Sequence, residues 1–186
     1  MTVLNIYIKR TFRDLVPTIL MGVVLYVPLL AQATTKEDAV KAGFVYNFTK
    51  YITWPTSDTP QDNFNLCVEG NDQLDGGLEA LYGKKIGNKS LILIRDVSGE
   101  ALKSCHMVFV ADDAKLNMQK VLKKFDGLPV VTVSDRADFI KMGGMIGLLR
   151  DGNRVGFEIN VIPARAVGLS ISAQLLKLAK YVKGLK

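Results

Sequence analysis

The chain has 186 residues, 48% apolar and 23% charged, with a formal net charge of +6 and a pI near 9.3. Those fractions exclude a disordered or collagen-like chain, and the length allows one domain with or without an appendage. The basic balance raises nucleic acid or an anionic membrane as partners, a question that turns on the first 33 residues.

Lys9, Arg10 and Arg13 form a positively charged start. The run Leu15 to Leu30 is uncharged, and Ala31-Gln32-Ala33 offers small residues for signal peptidase. Together these are the three parts of a secretory signal. The competing reading is a retained membrane anchor. The apolar run of 16 residues is shorter than the ~20 needed to span a bilayer, and Pro17 and Pro28 weaken it as a helix. The expected organisation is therefore a cleaved signal over 1–33 and a domain over 34–186. The processed chain would keep 153 residues, 21 basic and 17 acidic, for a net charge of +4.

Residues 36–53 have apolar side chains at helical spacing (Val40, Phe44, Val45, Phe48, Ile52), stopped by Trp54-Pro55. A strand is expected at 64–69, a short helix at 73–82, strands at 89–95 and 106–111, a helix at 113–125 and a strand at 129–133. Ser134 and Asp135 suit the cap of a short helix over 136–141. Two β runs, 145–150 and 154–159, flank Asp151-Gly152 and predict a hairpin. A long amphipathic helix is expected over 161–182. The predicted fold is a single α/β domain. It has a mainly parallel sheet flanked by helices on both faces, a C-terminal β-hairpin edge and a long C-terminal helix.

Cys67 lies in the first of these strands and Cys105 opens the third. In the common doubly wound order 2-1-3-4 those strands are neighbours. An even cysteine count in an exported chain then favours a Cys67–Cys105 disulfide, the alternative being two buried free thiols.

The residues offer little for catalysis. The single histidine, His106, adjoins Cys105, but neighbours on a strand point to opposite faces, so no nucleophile–base pair is expected. One histidine and two paired cysteines do not build a zinc site. The glycines at 76-77 and 143-144 fit no phosphate-binding loop, and Gly143-Gly144 reads as a turn with positive φ. No cofactor or metal is expected. Basic residues are dispersed, with Lys84-Lys85-Lys89 and Lys120-Lys123-Lys124 the nearest to clusters. Without a basic stripe that reads a groove, no nucleic-acid partner is expected. The remaining candidates are Phe157, Glu158, Ile159, Asn160 and Arg165 around the last strand-to-helix junction, with His106 and Trp54. Glu158 and Arg165 can form a ligand clamp at strand carboxyl ends or an internal ion pair and helix cap.

Seven motifs follow in order: A-x-F-x-Y-N-F-x-K-Y-I-x-W-P (42–55), L-C-V-E-G (66–70), C-H-M-V-F-V (105–110), V-T-V-S-D (131–135), F-I-K-M-G-G-M-I (139–146), R-V-G-F-E-I-N (154–160) and A-R-A-V-G-L-S-I-S-A-Q-L-L-K-L-A (164–179). In order and spacing the chain resembles the YfiR family, also called the DUF4154 domain, over about 39–182. The resemblance implies a small periplasmic α/β regulator, not an enzyme. It would bind and repress the periplasmic sensor domain of an inner-membrane diguanylate cyclase or related signalling protein, and so control cyclic-di-GMP and biofilm growth. It also implies a homodimer and a redox-sensitive cysteine staple, here limited to Cys67 and Cys105. The other reading carried forward is a periplasmic small-molecule-binding module. It would use Arg165 for an anionic ligand and His106 or Trp54 for an aromatic one.

Overall fold

Helix α1 (Lys36–Phe48) opens the region that the computed structural model describes, namely residues 36–56, 62–71, 74, 76–113 and 117–185. The expected signal at 1–33 lies outside these residues, as do parts of the helices expected at 73–82 and 113–125. The helix stops five residues before the Trp54-Pro55 boundary. The Thr49 hydroxyl donates to the Tyr46 carbonyl at 2.7 Å, a local bond that competes with helical continuation. Ile52–Thr53, both β-branched, then form strand β1.

The main sheet contains β2 (Asn63–Glu69), β3 (Lys85–Ile86), β4 (Lys89–Arg95), β5 (Met107–Val110), β6 (Val131–Ser134), β7 (Ile146–Asp151), β8 (Arg154–Asn160) and β10 (Tyr181–Lys183). Its order is β10-β8-β7-β6-β5-β2-β4-β3. The four central strands β4, β2, β5 and β6 follow the 2-1-3-4 order expected from sequence, and all pair in parallel. The hairpin β7–β8 turns at Gly152-Asn153 and pairs Asp151 with Arg154. The sheet is mixed, because β7–β8 and β3–β4 are antiparallel.

Side chains alternate across the strands and feed two apolar clusters. One joins Phe64, Leu66, Val68, Phe109 and Phe157 to Ala42, Val45 and Phe48 of α1. The other joins Cys67, Val108, Val110 and Phe139 to Met118 and Val121 of α2 (Met118–Lys124). Helix α2 starts at 118 because the Asn117 side chain accepts the Lys120 amide at 3.1 Å and caps it. Cys67 and Cys105 form a disulfide with a Cα–Cα distance of 5.9 Å, as the adjacency of β2 and β5 predicts.

Three expectations are corrected. The long C-terminal helix is instead α3 (Val161–Ala166), strand β9 (Ser170–Ile171), α4 (Ala173–Leu178) and β10. Gly168 takes φ +75° between α3 and β9, a conformation that ends a helix, and Ser172 caps α4 through the Leu175 amide at 3.2 Å. Strand β9 pairs antiparallel with β1, as Ile52↔Ile171 and Thr53↔Ser170. The β7–β8 hairpin is not the sheet edge either, since β10 adds in parallel outside β8. Lastly, residues 137–143 form turns rather than a helix. Ser134 Oγ does accept the Arg136 amide at 3.1 Å, but Asp138 adopts φ +61°, which a helix excludes. The expected Gly143-Gly144 turn is present, with Gly143 at φ +108°. A Cβ on Gly144 would sit 2.2 Å from the buried Phe139 ring.

Among the described residues, no helix is long and apolar enough to cross a membrane.

Candidate functional site

The residues singled out from sequence fall into two separate groups. The first is aromatic. The His106 ring stacks on Phe64 with centroids 4.8 Å apart, and Trp54 meets Phe64 edge-on at 5.2 Å. The Trp54 indole N–H donates to the His106 carbonyl at 2.8 Å. His106 Nδ1 accepts the Asn65 amide at 3.0 Å, so the lone pair a general base would use is already occupied. The group lies where β2 begins and just before β5, at the amino-terminal edge of the parallel strands. It anchors the chain leaving α1 to the sheet.

Burial, with a smaller contribution from Lys89, pushes the His106 pKa down from 6.5 to about 4. The direction agrees with the geometry, because only the unprotonated Nδ1 accepts the Asn65 amide. The unfolded chain takes up the proton near pH 6.5 and the folded chain near 4. The stability this group contributes is therefore full above about pH 6.5 and declines as pH falls toward 4. Unfolding midpoints measured across that window should fall more steeply for wild type than for His106→Gln. Equal slopes would show that the histidine is not the group responsible.

The second group lies at the β8–α3 junction. Phe157 and Ile159 are buried, and Phe157 packs its ring against Phe44 and Phe48 at 5.5 and 5.1 Å. These two side chains thus hold β8 to the core and do not form an apolar surface. Asn160 is buried and caps α3, its Oδ1 accepting the Ile162 amide at 3.2 Å. Its Nδ2 donates to the Ile140 carbonyl at 3.4 Å. Arg165 is exposed and donates to the Gly184 carbonyl at 3.0 Å, tying α3 to the chain end. It also borders a cavity of about 230 Å³ with Val161, Leu169, Ile171 and Leu176.

Glu158, half-buried, leaves the sheet on the face opposite Phe157 and Ile159. Burial pushes its carboxyl above the ordinary range; Lys141 pulls it back and Asp138 adds to the rise. Lys141 and Asp138 are themselves paired at 2.6 Å. Directly across the hairpin stands Gly147, where a Cβ would lie 3.1 Å from a Glu158 carboxylate oxygen. No ion pair joins Glu158 to Arg165 among the described residues, so the internal ion pair does not form there, whereas the helix cap is supplied by Asn160. Because β8 runs antiparallel to β7, which is itself parallel to β6, the carboxyl end of β8 is directed away from those of the central parallel strands.

The sequence did not single out Asp138, Lys141, Gly147 or Tyr181 as neighbours of Glu158. Tyr181 is its register partner on β10, and both side chains leave on one face. In the carboxyl-terminal segment, Ile162, Leu178, Tyr181 and Leu185 are large apolar side chains left exposed. Only the hairpin partner was within reach of the sequence, by counting back from Asp151 and Arg154.

Among the described residues, no group of three or more His, Cys, Asp or Glu side chains is arranged to hold a metal ion. A family model described as DUF4154, YfiR/HmsC-like, matches residues 38–180.

Proposed function

The chain belongs to the YfiR/HmsC-like family, and from this we propose that it is a non-enzymatic periplasmic regulator of cyclic-di-GMP signalling. In this reading it binds the periplasmic sensor domain of an inner-membrane diguanylate cyclase and holds it inactive. The observation that carries the proposal is the match from residue 38 to 180, which spans nearly the whole folded region. The occupied Nδ1 of His106 agrees with a role other than catalysis.

A repressor of this kind works by binding the inactive state of its target more tightly than the active one. The proposed contact surface centres on Glu158, with Tyr181 and the exposed apolar residues of the carboxyl-terminal segment supplying buried area. Arg165 acts on this surface indirectly, by holding the Gly184 carbonyl and so the strand β10. The regulator is proposed to act as a homodimer, with residues 1–33 removed as a secretory signal. Intact mass of exported protein should therefore correspond to a chain beginning at Thr34; retention of 1–33 would refute the signal.

Glu158→Ala should raise cellular cyclic-di-GMP severalfold while leaving the amount of folded protein unchanged. Wild-type cyclic-di-GMP in cells carrying only this variant would overturn the proposed contact.

A second reading, a small-ligand module, is favoured by the cavity beside Arg165. A small anionic ligand that raises the melting temperature of wild type but not of Arg165→Ala would support it. A ligand-free protein that still represses would leave the regulator reading alone.

A further inference from the structure

The lysines at 84, 85 and 89 cluster in the sequence, and the fold brings a fourth beside them across the Tyr46 ring. Lys50, just past α1, places its Nζ 4.5 Å from the centre of the Tyr46 ring. Lys84 places its own at 5.5 Å from the same ring. The Tyr46 hydroxyl donates to the Lys85 carbonyl at 2.8 Å, which fixes helix α1 to the β3–β4 hairpin. Lys89 completes the hairpin opposite Ile86 and is close enough to His106 to oppose its protonation.

None of the four lysines has a carboxylate partner among the described residues. Glu79, in the turn leading toward this hairpin, is engaged by Arg95. Tyr82, two residues before Lys84, is 69% exposed. None of these residues borders the cavity at Arg165. Lys85 lies on β3, the outermost strand, with Tyr82 and Lys84 just before it and Lys89 on its hairpin partner β4; Lys50 Nζ donates to Asn47 Oδ1 at 3.0 Å and Lys85 Nζ to Ser90 Oγ at 2.9 Å.

The composition of the patch selects its partner. All four cations are lysines, compact point charges without the planar fork by which arginine grips one carboxylate or phosphate in two places. Such charges suit a dense, laterally mobile field of anions. An exposed tyrosine beside them has an amphipathic ring of the kind found at the headgroup level of membranes. We propose that the β3–β4 edge, with Lys50, is a docking face for an anionic bilayer surface, its lysines meeting lipid phosphates while Tyr82 enters the headgroup layer.

Placement supports this use. Strands β3 and β10 are the opposite edges of the eight-stranded sheet, about 34 Å apart along the sheet at ordinary strand spacing. A chain resting on its β3 edge leaves Glu158 and Tyr181 free to meet a partner. The biological value of the arrangement rests on the regulator reading, whereas the binding itself does not.

Each lysine near an anionic surface should strengthen partitioning about fivefold. The test is cosedimentation of the exported, processed protein with phosphatidylcholine vesicles, with and without a third of phosphatidylglycerol. Wild type should bind the anionic vesicles at low salt and be released at high salt. The double variant Lys84→Glu/Lys85→Glu, at exposed positions, should bind about 25-fold more weakly or worse. Lys120→Glu/Lys123→Glu, an equal charge change on exposed positions of α2, should stay within about twofold of wild type. The proposal is overturned if wild type binds both vesicle types equally or neither, or binds only a soluble acidic polypeptide. It is equally overturned if the α2 variant loses as much as the edge variant. The assay contains no signalling partner, so its failure is distinct from failure of repression.

Discussion

Loss of the Cys67–Cys105 bridge, by reductant or by the double substitution to alanine, is expected to lower stability by about 3–4 kcal/mol. The bridge closes a loop with a sequence separation of 38. In the loop-entropy account its effect falls on the unfolded chain, whose freedom it restricts. Both cysteines are buried in the cluster beneath α2, among Val108, Val110 and Val121. For a domain of this size, a loss of that magnitude shifts the melting temperature by about 10 °C. Denaturant midpoints with and without reductant provide the measurement. An unchanged midpoint would mean that the parallel β2–β5 ladder holds these strands unaided. Because the sulfurs are buried, reduction should be slow in native protein and fast in partly unfolded protein, so the rate separates access from stability.

Phe157→Ala should cost about 3–5 kcal/mol, whereas Glu158→Ala, one residue on, should change stability by no more than about 0.5. The contrast follows from alternation along β8. Phe157 is 4% exposed and fills the space between Phe44 and Phe48, so its removal leaves a cavity that a helix and a strand cannot both close. Glu158 points to the other face, where burial already disfavours its charge. Urea midpoints of the two variants decide the matter. A fully stable Phe157→Ala protein would show that this ring is not part of the core. In cells the two variants should both raise cyclic-di-GMP, but for different reasons: Phe157→Ala through loss of folded protein, Glu158→Ala with protein levels intact.

Much of the central architecture was legible because it depends on local signals. Val- and Ile-rich runs marked the parallel strands, Asp151-Gly152 marked the hairpin, and strand adjacency brought Cys67 to Cys105. The C-terminal third was not legible for a definite reason. Ala166, Leu169, Leu175 and Leu176 do recur at helical spacing, yet Ser170 and Ile171 are drawn into a ladder with Thr53 and Ile52. Strand preference of this kind is set by the partner more than by the segment itself. The same partner explains why α1 ends early, since Ile52 is committed to the ladder.

The site was partly legible. The neighbourhood of residues 157–165 could be named, but period-2 alternation already forbade Phe157, Glu158 and Ile159 from sharing one face. Asp151-Gly152 marked the strand reversal, but no local pattern placed Glu158 beside Lys141 and Asp138 rather than Arg165. Tyr181 was hidden for a different reason. It lies in a segment read as helix, and its place opposite Glu158 exists only once β10 joins the sheet.

The small ladder of β1 and β9 also governs when the domain can finish folding. Its strands come from opposite ends of the described chain, and β10 closes the sheet later still. Contacts of such sequence separation form slowly, because the intervening loop must be closed before they reward it. A chain delivered amino end first cannot secure the residues after α1 until its final segment has emerged. Truncation from the carboxyl end would therefore loosen the opposite end of the domain, and the polypeptide stays threadable until its last turn has passed.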